Sequence, residues 1–266
     1  MALELKNVTY ENIIKKFDYV FDEGNIYAIL SSSEKEREVL GKIIGGLINK
    51  YDGKVKSNAR TEYVYSNPDD MFICGTVNEE LALCLNNSNY KDETKNKKIS
   101  DVLKMLGLDD NIKNVNPLNI SSSEKRLLSI AISLITNPKI LVLNEPELYL
   151  DDWHKRNLIK ILKKISKRYN KTIIILTNNV LFSYEVCDNF ILLNKGEIIK
   201  SEGKKELLNI DKELEMSSLK LPEILNFINC ASKKNICLNK TYDIKELMKD
   251  VYRNVNWCSY RKVYSQ

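Results

Sequence analysis

Two runs, ILVL at residues 140–143 and IIIL within residues 172–176, are apolar at every position. A strand with one wet face alternates; a strand without polar positions must be covered on both faces. Stretches with helical spacing lie between such runs, which points to an α/β layered domain with a largely parallel sheet. The β-like runs are 3–8, 27–30, 62–65, 140–143, 172–176, 190–193 and 197–200. Helix-period stretches fall near 39–48, 77–85, 99–106, 125–135, 155–165 and 181–187. The polar, Lys/Asn-rich residues 86–98 read as a solvated loop. After Gly203 two short amphipathic helices, about 222–234 and 244–253, make a small helical appendage.

Composition excludes several functions. One His among 266 residues, and six Cys with no CxxC pair, argue against a zinc site or a His-based triad; no metal ligands are assigned. The thiols read as reduced, in a cytosolic protein. The net charge of +5 comes from 41 basic and 36 acidic residues spread along the chain without a stripe, so no nucleic-acid partner is expected. The final YRNVNWCSYRKVYSQ mixes Tyr252, Trp257, Tyr260 and Tyr264 with Arg253, Arg261 and Lys262, which reads better as a packed tail than as a base-stacking platform. MALELKNVTY lacks the form of a signal peptide. TIIILT is far too short to cross a bilayer, so contact with a membrane would come through a partner.

The pentapeptide SSSEK occurs twice, at 31–35 and 121–125, each time where a helical pattern begins. The first copy follows a β run, where a phosphate-binding loop G-x-x-x-x-G-K-[ST] would stand. That loop needs glycines for close backbone approach, Lys for the β/γ oxygens and a hydroxyl for Mg²⁺. Here Ser31 and Glu36 stand for the glycines, Arg37 for the lysine and Glu38 for the hydroxyl. Glu34, Glu36 and Glu38 outnumber Lys35 and Arg37, and each like-charge approach at ~4 Å costs about 1 to 4 kcal/mol. Ser33 followed by Glu36 fits a capping box, so the turn reads as a helix start whose anion seat the protein's own carboxylates fill.

From Asn119 the chain runs NISSSEKRLLSIAISLITNPKILVLNEPELYLDD. This resembles the ABC-transporter ATPase family, whose LSGGQ-K-R signature is followed by a helix, a strand ending in DEP and a turn ending in LD. YVYSNPDDMFICGTVNEELAL is similar to its Gln-loop region, and TIIILTNNVLFSYEVCDNFILLNKGEII to its His-loop region. The tail SSLKLPEILNFINCASKKNICLNKTYDIKELMKDV resembles the C-terminal helices of the ATPases in energy-coupling-factor transporters. The resemblance implies a P-loop-type cassette at 1–210, with a mostly parallel core, an antiparallel β-subdomain and a helical subdomain at about 77–137. Residues 211–266 would form a helical extension.

Position by position, the resemblance fails where the family's chemistry sits. Asn12, or Tyr10 beside it, stands for the adenine-stacking aromatic. Ser66 stands for the Gln-loop glutamine, Ser122 and Ser123 for the signature glycines, Asn144 for the Mg²⁺-holding Asp and Asn178 for the switch His. Ser121, Glu145 (the general base) and Asp151 are kept. Asn144 and Asn178 are expected to hydrogen-bond as neutral groups in the former site, and Glu145 to be vestigial. The region 67–77, with Asn67–Asp70, Phe72, Thr76 and Val77, keeps the pattern of the surface where a transmembrane subunit docks. The resemblance therefore implies a degenerate cassette that neither binds nor hydrolyses ATP in its own loop, in a heterodimer with an intact sibling. It would sit at the inner membrane face, with ATP and Mg²⁺ at a composite site that uses Ser121–Ser123 and Asp151. Two alternatives stay open: a slow but genuine ATPase relying on Arg37, and a non-transport scaffold. Against a chromosome-maintenance ATPase head stands the absence of a coiled-coil insertion.

Overall fold

The computed structural model describes residues 1–57, 59–86 and 90–263, with side chains up to residue 254. A six-stranded sheet has the order β5-β6-β7-β3-β8-β9. Its members are β5 (Thr61–Val64), β6 (Ile140–Asn144), β7 (Thr172–Thr177), β3 (Ile26–Leu30), β8 (Asn189–Asn194) and β9 (Glu197–Gly203). All pairs are parallel except β8–β9, which the tight turn at Lys195–Gly196 joins as an antiparallel hairpin. A second, antiparallel sheet orders β2 (Ile14–Phe21), β1 (Leu3–Tyr10) and β4 (Asp52–Ser57).

Period-2 geometry sends alternate side chains of the central strands to two cores. Ala28, Leu30, Leu141, Leu143, Ile173 and Ile175 face the helical side. Tyr27, Ile29, Val142, Ile174 and Leu176 face the antiparallel sheet and helix α1 (Glu34–Ile44). Both faces are dry, as runs without polar positions require.

The helical side holds α2 (Val77–Cys84), α3 (Asp92–Leu106), α4 (Ser122–Ile135), α5 (Asp152–Tyr169) and α6 (Val180–Val186). Beyond lie α7 (Asp211–Met216), α8 (Glu223–Lys233) and α9 (Ile244–Val263). Leu214, Leu219, Leu221, Leu225, Ile228 and Leu247 join the same core, so these C-terminal helices pack directly onto the central layers.

Three expectations are corrected. Residues 92–98, expected as loop, are the first turns of α3; Asp92 and Glu93 suit the helix N-terminus, and only from Ile99 onward is a face buried. Strands β2 and β4 were not expected from periodicity; β4, DGKVKS, has no buried residue at all and exists by pairing with β1. The helical periodicity placed at 39–48 belongs to a helix that starts at Glu34, as the Ser33 cap implied, and stops short of 48 at Gly45, where Gly46 takes φ +73°. No helix among the described residues is long and apolar enough to cross a membrane. Of the aromatic tail, Tyr252 is exposed and Arg253 pairs with Asp250 at 3.6 Å; the side chains of Trp257, Tyr260, Arg261, Lys262 and Tyr264 lie outside the described residues.

Candidate functional site

Strand β3 delivers Ser31 into the interior, where its N–H donates to the Thr177 carbonyl at 3.2 Å. The next three residues turn the chain into α1, capped by Ser33, whose Oγ accepts the Glu36 N–H at 3.3 Å. Glu36 does not complete the expected capping box. Its buried carboxylate accepts instead from the Ser31 hydroxyl at 2.6 Å and from the Gly196 N–H at 2.9 Å. Gly196 can approach so closely because it has no side chain. A Cβ there would meet the Ile13 carbonyl oxygen at 2.4 Å, and φ is +79°.

Arg37 lies one residue further along α1, its side chain only 3% exposed. Nη1 donates to the Ser31 carbonyl at 2.6 Å and Nη2 to Glu145 Oε1 at 2.8 Å. The guanidinium thus clamps the loop to the end of β6, and Nε alone is left without a partner. Glu38 pairs with Lys42 one helical turn on, while Ser32, Glu34 and Lys35 face solvent. Ser32 Oγ donates to the Ser217 carbonyl at 2.8 Å, tying the loop to the end of α7.

Around Glu145 the polar groups are buried and only partly satisfied. Asn144 Nδ2 donates to the Tyr63 hydroxyl at 3.1 Å, whose pKa burial raises, while Asn144 Oδ1 has no partner. Asn144 thus hydrogen-bonds as expected. Glu145 itself is drawn into the Arg37 pair, which the sequence did not foresee. Glu147 accepts from Thr177 Oγ1, has a second oxygen without a partner, and is pushed up to about 7 by burial above all. Arg126, wholly buried, donates to the Tyr65 carbonyl at 2.8 Å and to the Ser66 carbonyl; desolvation lowers it to about 10.

The second SSSEK differs. Ser121 caps α4 in a complete capping box: its Oγ accepts the Glu124 N–H at 3.3 Å, and its own N–H donates to Glu124 Oε2 at 2.8 Å. Ser122 is exposed and makes no side-chain hydrogen bond among the described residues, and Ser123 Oγ donates to the Tyr149 carbonyl at 2.6 Å. Exposed Asp151 caps α5 by accepting the His154 N–H at 2.8 Å, the main cause of its lowered pKa. Asn178 departs from expectation: it stands exposed just past the end of β7, and its side chain makes no hydrogen bond among the described residues. Asn12 is exposed, whereas Tyr10 packs against the core behind the antiparallel sheet.

The fold therefore gathers Ser31, Ser33, Glu36, Arg37 and Glu145 into one bonded cluster. Ser121–Ser123, Asp151 and Asn178 lie outside it, with no hydrogen bond or ion pair to it among the described residues. Sequence reasoning missed Gly196, Arg126, Glu147 and Tyr63. A signal existed for Arg126, a cation in the wholly buried run Arg126–Leu127–Leu128 of α4. On the 67–77 face, Lys125 pairs with Asp69 at 3.0 Å, buried Glu80 accepts from the Ile73 and Cys74 N–H groups, and Ile73 is 78% exposed. No group of three or more His, Cys, Asp or Glu among the described residues could hold a metal ion.

The family model described as "ABC transporter" matches residues 14–147. An ABC transporter ATP-binding protein of Pyrococcus horikoshii is 31% identical over 252 residues, covering 90% of this chain and 93% of the relative. The energy-coupling factor transporter ATP-binding protein EcfA1 of Mycoplasma mobile is 26% identical, covering 94% and 96%. Among solved structures, cbiO1 from Clostridium perfringens, part of the ABC transporter complex cbiONQ, superposes with a TM-score of 0.70 at 21% identity, over 85% of this chain and 98% of that one. It shares the cassette fold seen here. With a family model spanning half the chain and a relative above 30% identity along most of it, this protein belongs to the ABC transporter ATP-binding family.

Proposed function

We propose that this chain is a degenerate cassette subunit of an energy-coupling-factor-like or other ABC-type membrane transporter. Its own loop neither binds nor hydrolyses ATP, and it serves as structural and coupling partner to an intact sibling. The observation that carries the reading is the Arg37–Glu145 ion pair across the mouth of the loop. In the family pattern these positions would serve a phosphate and an attacking water; here each neutralises the other. The Glu36 carboxylate also takes the Ser31 hydroxyl and the Gly196 N–H. Mg²⁺–triphosphate does not fit these residues, because it would have to displace a buried ion pair and approach a buried carboxylate. Asn144 adds no charge for a metal's water shell.

The signature side supports a composite site. Ser121 and Ser122 are exposed at the start of α4, and Asp151 is exposed at the start of α5. A sibling with an intact loop could use them in a head-to-tail pair, the arrangement the family resemblance implies. The exposed Ile73, beside the Lys125–Asp69 pair, suits docking of a transmembrane subunit. The test is the ATPase rate of the assembly copurified with its sibling. Glu145→Gln in this chain is expected to leave the rate within about twofold, whereas loss of the sibling's equivalent Glu abolishes it. A fall of orders of magnitude with Glu145→Gln alone would make the chain an ATPase in its own right.

A further inference from the structure

Residues 178–181, at the end of β7 and the start of α6, face residues 220–224 ahead of α8 across a cavity of about 440 Å³. That size lies within the range of small-molecule sites, roughly 300 to 1,000 Å³. Its bed is apolar. Leu181, Ile224 and Ile244 line it, and Ile244 is 69% exposed. Tyr242 contributes a buried ring whose hydroxyl is already spent on the Leu207 carbonyl at 3.1 Å.

Lys220 and Glu223 also line it, both exposed. Neither forms an ion pair or a side-chain hydrogen bond among the described residues. Asn178 adds a side-chain amide equally without a partner. One unpaired cation and one unpaired carboxylate beside an apolar bed ask for a ligand with both charges and an apolar body. A phosphate ester would meet Glu223, and a polyamine would meet Lys220.

We propose that this cavity binds a small zwitterion with an apolar side chain, an α-amino acid between leucine and phenylalanine in size. Its carboxylate pairs with Lys220, its ammonium group with Glu223, and its side chain covers Leu181, Ile224 and Ile244. The occupant bridges the C-terminal helices to the segment following Thr177, whose carbonyl accepts from Ser31 and whose hydroxyl donates to Glu147. This inference goes beyond the nucleotide reading and does not depend on it.

The test is calorimetry and thermal unfolding of the full chain without nucleotide, using L-leucine and L-phenylalanine, with uncharged N-acetyl-leucinamide as control. Saturable heat and a concentration-dependent rise in Tm are expected for at least one amino acid. Lys220→Ala and Glu223→Gln, both at exposed positions, should each weaken binding about tenfold, as loss of a charged hydrogen bond does. No saturable binding of either amino acid up to about 10 mM would overturn the proposal. So would equal binding of N-acetyl-leucinamide, or unchanged affinity in either variant.

Discussion

The same five residues, SSSEK, meet opposite fates at residues 31–35 and 121–125. In the second copy the first serine caps the helix, and the glutamate three places on closes the box. In the first copy the third serine caps, although Ser31 and Glu34 have the same spacing as Ser121 and Glu124. The difference comes from what precedes each copy. Ser31 spends its N–H on the Thr177 carbonyl of β7, so no glutamate can close a box on it; Ser121 follows a short 3-10 turn and gives its N–H to Glu124. Capping chemistry thus offers several starts, and tertiary pairing selects one. The two-residue shift carries Glu36 and Arg37 into the interior, while Ser121 and Ser122 stay at the surface.

Substitutions can break this comparison. The largest effect is expected from Arg37→Ala, which leaves Glu145 buried without its partner and should cost about 3 to 5 kcal/mol in urea unfolding. Replacing both members of the pair by Met and Leu should recover most of that loss, since apolar pairs often substitute well for buried ion pairs. Glu36→Ala strips the acceptor from the Ser31 hydroxyl and the Gly196 N–H, an expected loss of about 2 to 3 kcal/mol.

A smaller effect is tied to pH. Burial keeps Glu147 protonated up to about 7, so between the ordinary carboxylate range and about 7 the folded chain holds more protons than the unfolded one. Stability should therefore fall as pH rises through that window, and Glu147→Gln should flatten the slope measured between about pH 5 and 8. The smallest change is expected from Glu124→Ala, about 1 kcal/mol or less, because that carboxylate only closes an end exposed to solvent. Should Glu124→Ala cost as much as Glu36→Ala, the contrast between the two junctions would be wrong.

Strands dry on both faces were legible in the sequence because every position is apolar, as in β6 and β7. Strand β4 was not, since nothing in DGKVKS separates it from a loop until β1 supplies hydrogen bonds. The start of α3 was hidden because its first turns bury nothing. In the site, the crowding of carboxylates around Arg37 could be read directly. That Arg37 reaches Glu145, 108 residues away, could not, because the parallel sheet alone brings the ends of β3 and β6 together. Glu36 shows the same limit: its spacing from Ser33 promised a capping box, but Gly196 on a distant hairpin offered a better-placed donor.

Titration of the purified chain alone with Mg²⁺-ATP in a calorimeter tests the claim that this protein's own side chains occupy its phosphate loop. The account predicts no saturable heat up to millimolar nucleotide. A micromolar dissociation constant, lost when Arg37 is replaced, would contradict it.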